Sequence, residues 1–163
     1  MSQKYRRLRR DELEEVRPQF VKFLAVNGID GASWTRIKAD DPKRTDALLL
    51  QFSQIVFQGV IDKVEYLLQR SKRDLRTYHC QADKIVMNGM MIEGTTDLDL
   101  SNENISPEEM LRQMRASGAS VKLYAGERKY RDGDRDQDIF LLMEQGALIS
   151  DDHMFRTLEK LKG

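Results

Sequence analysis

The chain is predicted to adopt an α+β fold because the period of its apolar residues changes near Ser71. Before that point apolar positions recur at helical spacing; after it, short runs alternate between turn-forming stretches. No internal repeat and no low-complexity linker interrupts the pattern. The expected order is three N-terminal helices, including a long central helix at about residues 42–70, then β-β-α-β-α-α with a small, mainly antiparallel sheet. At 163 residues the prior is a single globular domain over 1–163, with 1–10 as a basic arm.

Asp11 followed by Glu14 resembles a capping box, and Leu13, Val16, Phe20, Phe23 and Leu24 then share one helical face. Pro18 lies off that face and should kink the helix; Asn27-Gly28 ends it. Asp30 caps a short second helix with Trp34 and Ile37 one turn apart. Asp41-Pro42 supplies an N-cap and a proline at the first helical position, which starts the long helix. Gln51, Gln54, Gln58, Asp62, Glu65 and Gln69 form a narrow polar stripe along it at about 100° per residue, so burial on several sides is expected. Gly59 inside this helix points to close approach of a neighbouring element.

Arg76–Cys80 and Lys84–Met87 flank a short Gln81–Asp83 turn and read as a hairpin, its second strand reaching about Ile92 with Gly89 as a bulge. An acidic loop follows. Ser106-Pro107-Glu108-Glu109 then combines cap, helix-opening proline and capping box, with Met110, Leu111 and Met114 on the apolar side and Gly118 as stop. Residues 119–125 alternate as a third strand, and 126–138 read as a charged loop. Ile139–Met143 forms a short helix stopped by Gly146, and Ser150 begins a last one with Asp151 and Asp152 in its first turn.

The single cysteine, Cys80, rules out an internal disulfide framework. The N-terminus lacks the apolar run of a secretory signal, and no 18-residue apolar stretch exists. A cytoplasmic protein without membrane contact is expected. Lys plus Arg equals Asp plus Glu at 27 each, which argues against a general nucleic-acid binder.

Lys4-Tyr5-Arg6-Arg7-Leu8, Phe23–Asp30, Trp34–Lys38, Phe52–Val56 and Gln145–Ser150 together resemble an uncharacterised domain-of-unknown-function family of short Bacteroidota proteins. The resemblance covers nearly the whole chain through packing and capping motifs. It implies a stand-alone single-domain protein and carries no activity.

Several residue groups have chemistry to offer. No cofactor is expected; the alternative is Ca2+, since Asp132, Asp134, Asp136 and Asp138 alternate like the start of a calcium loop. Gln137 stands where such a loop needs glycine, and Met143 where it needs a bidentate glutamate; the competing reading is a solvated turn that caps the next helix. Glu127-Arg128-Lys129 has the carboxylate-x-Lys form of metal-dependent nucleases, with Asp97 or Asp99 as the required second acid. His79 and Cys80 are adjacent on a strand and so face opposite ways, and His153 reaches them only through the fold.

Basic groups occur at 4–10 (Arg6, Arg7, Arg9, Arg10 beside Tyr5), at 70–76 (Arg70, Lys72, Arg73, Arg76) and at 128–135 (Arg128, Lys129, Arg131, Arg135). Converging on one face they would bind phosphate; dispersed, they would pair with the acidic blocks. Met87, Met90, Met91, Met110 and Met114 are either core filling or, if exposed, a partner contact. The reading preferred from sequence is a non-catalytic protein-interaction or self-associating domain with a protein partner or a second copy. Nucleic-acid or phosphate-ligand binding is the alternative, and a metal-dependent hydrolase the third.

Overall fold

Asp41 and Pro42 open the longest helix as their residue types dictate: the Asp41 side chain accepts the N–H of Arg44 at 3.1 Å and Pro42 occupies the first turn. The computed structural model describes residues 4–94 and 96–162. Its contacts gather into two compact units, Met1–Asp62 and Lys63–Gly163. Among the described residues no helix is long and apolar enough to cross a membrane.

The first unit holds α1 (Arg10–Glu15), α2 (Arg17–Val26), α3 (Gly31–Asp40) and α4 (Pro42–Ile61). Its core joins Leu8, Phe20, Leu24, Ile29, Leu48 and Phe52, with the Phe20 ring edge-on to Trp34 at 5.2 Å. The kink expected at Pro18 is a break at Val16, so that proline sits in the first turn of a new helix. The cap of α1 is Glu12, which accepts the N–H of Arg9 at 2.7 Å; the Asp11–Glu14 box expected there is displaced.

The central helix stops nine residues before the Arg70 expected from periodicity, at Ile61. Leu67 and Leu68 fit helical spacing and also alternate across a strand, and neither glycine nor proline marks the boundary. The chain adopts a strand because Tyr66–Arg70 has sheet neighbours on both sides. Nor is α4 enclosed as expected: Ile55 is 55% exposed, and a side chain at Gly59 would meet nothing within 4 Å. Its polar stripe has a specific use. Gln54 accepts from Tyr5 N–H at 3.0 Å and donates to Tyr5 O at 2.8 Å, while Gln58 accepts from the Tyr5 hydroxyl at 2.8 Å. Ser53 Oγ accepts from Leu8 N–H at 2.8 Å. Residues 5–8 therefore lie bonded along α4 rather than forming a basic arm; 1–3 fall outside the described residues.

The second unit is a five-stranded sheet of order β4-β3-β2-β1-β5, all neighbours antiparallel. Its strands are β1 (Tyr66–Arg70), β2 (Asp74–Cys80), β3 (Lys84–Glu93), β4 (Ser120–Lys129) and β5 (Leu148–Ser150). The helices are α5 (Pro107–Ser117), α6 (Arg135–Glu144) and α7 (His153–Leu161). Strands β1 and β5 were not expected, and β4 continues through the first part of the segment read as a loop. The cap before α5 is borne out: Ser106 accepts the N–H of Glu109 at 3.1 Å, and Gly118 closes the helix at φ 65°. The expected box is not closed, because the Glu109 carboxylate accepts from Arg112 and Gln113 instead. One sheet face, with Leu75, Met90 and Ile92, packs against Met110 of α5 and Met154 and Leu158 of α7.

If the glutamine ladder holds the N-terminal segment, Gln54→Ala should release it. The expected outcome is a loss of about 1–3 kcal/mol in urea unfolding and faster tryptic cleavage at Arg6 and Arg7; an unchanged cleavage rate would show that these bonds are not what holds it.

Candidate functional site

Strand β4 forms one edge of the sheet, and the ladder beside it decides which backbone groups that edge leaves open. Ile92 N–H donates to Arg73 O at 2.8 Å and Gln81 N–H to Lys84 O at 2.9 Å, so the even-numbered residues of β3 bond toward β2. In an antiparallel ladder bonding direction alternates. Ile85, Met87, Gly89 and Met91 therefore bond toward β4, to Arg128, Gly126, Tyr124 and Lys122. The N–H and C=O groups of Val121, Leu123, Ala125 and Glu127 point the other way, and they find no hydrogen-bond partner among the described residues. The register runs unbroken from Glu93↔Ser120 to Lys84↔Lys129, with neither bulge nor proline. At about 3.4 Å per residue this is an edge of roughly 30 Å.

Gly89 is regular strand, not the bulge expected, and its lack of a side chain has another cause. The Tyr124 ring lies across it: a Cβ there would stand 2.2 Å from Tyr124 Cζ. The ring is held by its hydroxyl, which donates to Asp74 and accepts from Arg76 Nε at 3.1 Å, while Arg76 Nε also reaches Asp74 at 3.0 Å. Burial and the Asp74 carboxylate push the Tyr124 hydroxyl up to about 12, and the hydroxyl contact raises Arg76 as well. The trio is a self-satisfied clamp with no free nucleophile or base.

Beside it, between β4 and the interior of the sheet, lies a cleft of about 230 Å³ lined by Tyr78, Ile85, Met87, Gly126, Glu127 and Arg128. Its mouth is Gly126, where a Cβ would come no nearer than 4.0 Å, to Met87 Cε. Its far wall is fixed by α6: the buried Asp138 accepts from Arg128 Nη1 at 2.8 Å and from Arg131 N–H at 2.7 Å. Burial by itself would raise the Asp138 pKa, but these donors outweigh it and hold the carboxyl below its ordinary range.

The sequence-expected groups are distributed as follows. Arg6 pairs with Glu12 at 2.7 Å and Arg7 with Asp46 at 2.6 Å; Arg9 precedes α1, and Arg10 is its exposed first residue. In the sheet unit the basic groups stand at opposite ends, since Arg70, Lys72 and Arg73 lie at the β1–β2 turn while Arg128 and Lys129 end β4 and Arg131 follows it. The intervening strand spans roughly 23 Å. Arg70 donates to Leu100 O and Asn102 O, both at 3.2 Å, and Arg73 to Ile92 O and Gly94 O.

Asp132 takes a left-handed turn at φ 55°, Asp134 caps α6 through Gln137 N–H at 3.2 Å, and Asp136 lies 3.8 Å from Arg135. Among the described residues no group of three or more His, Cys, Asp or Glu side chains is placed to hold a metal ion. Glu127 pairs with Lys84 at 3.2 Å. His79 stacks on Tyr66 at 4.5 Å, and His153 meets Glu108 at 2.7 Å. The Cys80 thiol is buried, which raises it to about 11. Met90 and Met110 are core, Met87 and Met114 half-buried, and Met91 40% exposed.

Further clefts lie among the described residues. One, of about 260 Å³, is lined by Gln69, Arg70, Ser71, Asp74 and Arg76; another, of about 430 Å³, includes Lys63, Glu65, Asp151, Asp152 and Arg156. In both, arginines already meet acceptors: Arg156 pairs with Asp152, and Arg76 with Asp74. Sequence reasoning missed the β4 edge because residues 126–129 are glycine and charges, the composition of a loop. The alternation of Val121, Leu123 and Ala125 signals the strand only as far as Gly126, since the next positions in phase, Glu127 and Lys129, are charged.

The elements define a small α+β protein with one helical unit and one unit that holds an open antiparallel sheet. The chain belongs to the family of unknown function DUF6495, whose family model matches residues 1–163. Comparison with curated proteins and with solved structures finds no match.

Two substitutions test the geometry. Gly89→Ala should cost about 1–3 kcal/mol in urea unfolding, and less in a Tyr124→Ala background where the ring is gone; equal costs in both backgrounds would show that the ring is not the obstacle. Asp138→Asn should cost about 1–3 kcal/mol at neutral pH. Because the folded pKa is depressed, that stabilisation is present above the unfolded carboxylate value of about 3.9 and lost as pH falls through the lower folded one. The gap between the two proteins should therefore close in acid, and a gap that widened there would contradict this sign.

Proposed function

We propose that this protein is a non-catalytic interaction module that takes an extended segment of another protein onto the free edge of β4. The observation that carries this reading is the row of unpartnered N–H and C=O groups at Val121, Leu123, Ala125 and Glu127, in register over an edge of ten residues. A sheet edge of that length is a template for another strand; β4 has neither bulge nor proline, and its charged residues Lys122, Glu127, Arg128 and Lys129 restrict which strand it accepts. Strand addition to such an edge is a general mode of peptide recognition in which backbone bonds supply affinity.

Half-buried Val121 and Leu123 give the edge an apolar side as well. The buried lone thiol of Cys80 suits the cytoplasmic setting expected from the sequence. Phosphate or nucleic-acid binding has less support, since Arg6, Arg7, Arg70 and Arg73 bond to acceptors within their own unit and the basic groups of the sheet unit stand at its opposite ends.

The test uses Ala125→Pro. The Ala125 N–H points outward, so proline there leaves the internal ladder intact while removing a donor from the edge. With short Thr- and Val-rich peptides present, amide exchange at Leu123 and Glu127 should slow in the native protein. In Ala125→Pro, peptide affinity should fall at least about tenfold with the circular dichroism spectrum unchanged. Equal affinity in both proteins, or no slowing with any peptide, would exclude strand addition at β4.

A further inference from the structure

The edge strand carries one glycine, Gly126, and directly behind it lies the apolar cleft floored by Tyr78, Ile85 and Met87. On adjacent strands, residues that stand opposite one another share a sheet face and lie about 5 Å apart. A residue of an added strand opposite Gly126 therefore meets no side chain on β4 and faces the cleft mouth. At about 230 Å³ the cleft is smaller than the ~300–1,000 Å³ typical of small-molecule sites, a size that suits one large side chain better than a free metabolite.

The charges on the same face narrow the partner further. Lys122 and Arg128 stand four and two residues away along β4, Lys122 exposed and the Arg128 side chain 43% exposed beyond its bond to Asp138. A second copy of this chain, paired antiparallel about Ala125, would set Lys122 against Arg128 at both ends, and like charges directly opposite are unfavourable.

We infer that, as a refinement of the strand-addition reading on which this rests, the cleft behind Gly126 receives a large apolar side chain of an antiparallel acidic segment from a different protein. Its acidic residues stand opposite Arg128 and Lys122. Read in the partner's direction, the recognised pattern is an acid, an apolar residue two positions on, and a second acid four positions beyond that. The backbone edge supplies pairing, and the cleft with its flanking cations supplies the choice of sequence.

The probe is the capped peptide Thr-Glu-Thr-Leu-Val-Thr-Val-Glu-Thr, which in antiparallel register sets Leu opposite Gly126 and the two Glu opposite Arg128 and Lys122. Its control carries Ala in place of Leu. Binding is read by amide exchange and chemical shifts at Leu123, Ala125 and Glu127 in the full chain. The Leu peptide should bind at least about tenfold more tightly than the Ala peptide. Gly126→Val, whose Cβ the surroundings accommodate, should block the cleft mouth and bring that ratio close to one while the Ala peptide still binds.

Equal binding of both peptides to the native protein, with edge amides protected, would overturn the cleft assignment and leave strand addition standing. Protection with neither peptide would overturn both. Protection of the same amides without peptide, rising with protein concentration, would show a second copy on the edge and overturn the acidic-partner assignment.

Discussion

The ladder between β3 and β4 decides which side chains of the border strand face the helices and which backbone groups its edge leaves open. Because bonding direction alternates along an antiparallel strand, assigning Gly89 to Tyr124 and Met87 to Gly126 leaves no freedom in where the remaining groups point. The same register puts Tyr124 over the one residue that can lie beneath it and opens Gly126 above Met87. A shift by one residue would carry Val121 and Leu123 away from the face covered by α5 and α7 and turn Lys122 and Tyr124 onto it. The apolar packing of one face and the backbone groups on the edge are thus set by the same pairing.

Two glycines on one face of this sheet do opposite work. At Gly89 the missing side chain is replaced by a neighbour's ring, whose hydroxyl is tied down by Asp74 and Arg76. At Gly126 nothing from within the chain lies where a side chain would be, apart from ordinary contact with Met87. The glycine nearer the sheet interior is closed, and the one on the border strand is open.

Much of the fold was legible where local chemistry decides the structure. Asp41-Pro42, Ser106-Pro107 and Gly118 act within a turn of the residues they control, and they stand as read. The hairpin of β2 and β3 was legible by alternation. The end of the central helix was not, because 62–70 satisfies both periods and the decision belongs to its sheet neighbours, the adjacent Leu75–His79 and the distant Leu148–Ser150. The glutamine stripe was visible, but its partner was not: Tyr5 lies 49 residues from Gln54, and no spacing links them. The candidate edge was obscured for a related reason, since its distinguishing property is an absence of pairing on one side, which a sequence does not display.

The order of the strands has a consequence for synthesis. β1, β2 and β3 are consecutive hairpin partners that can pair as soon as they leave the ribosome, whereas β4 and β5 attach afterwards on opposite flanks. While residues 94–119 are being made, β3 presents Ile85, Met87 and Met91 along an unfinished border, and β1 waits longer still for Leu148–Ser150. The nascent sheet thus grows outward from its middle, and a half-made chain exposes two adhesive borders. The finished one covers that of β3 along its whole length and that of β1 over 66–68.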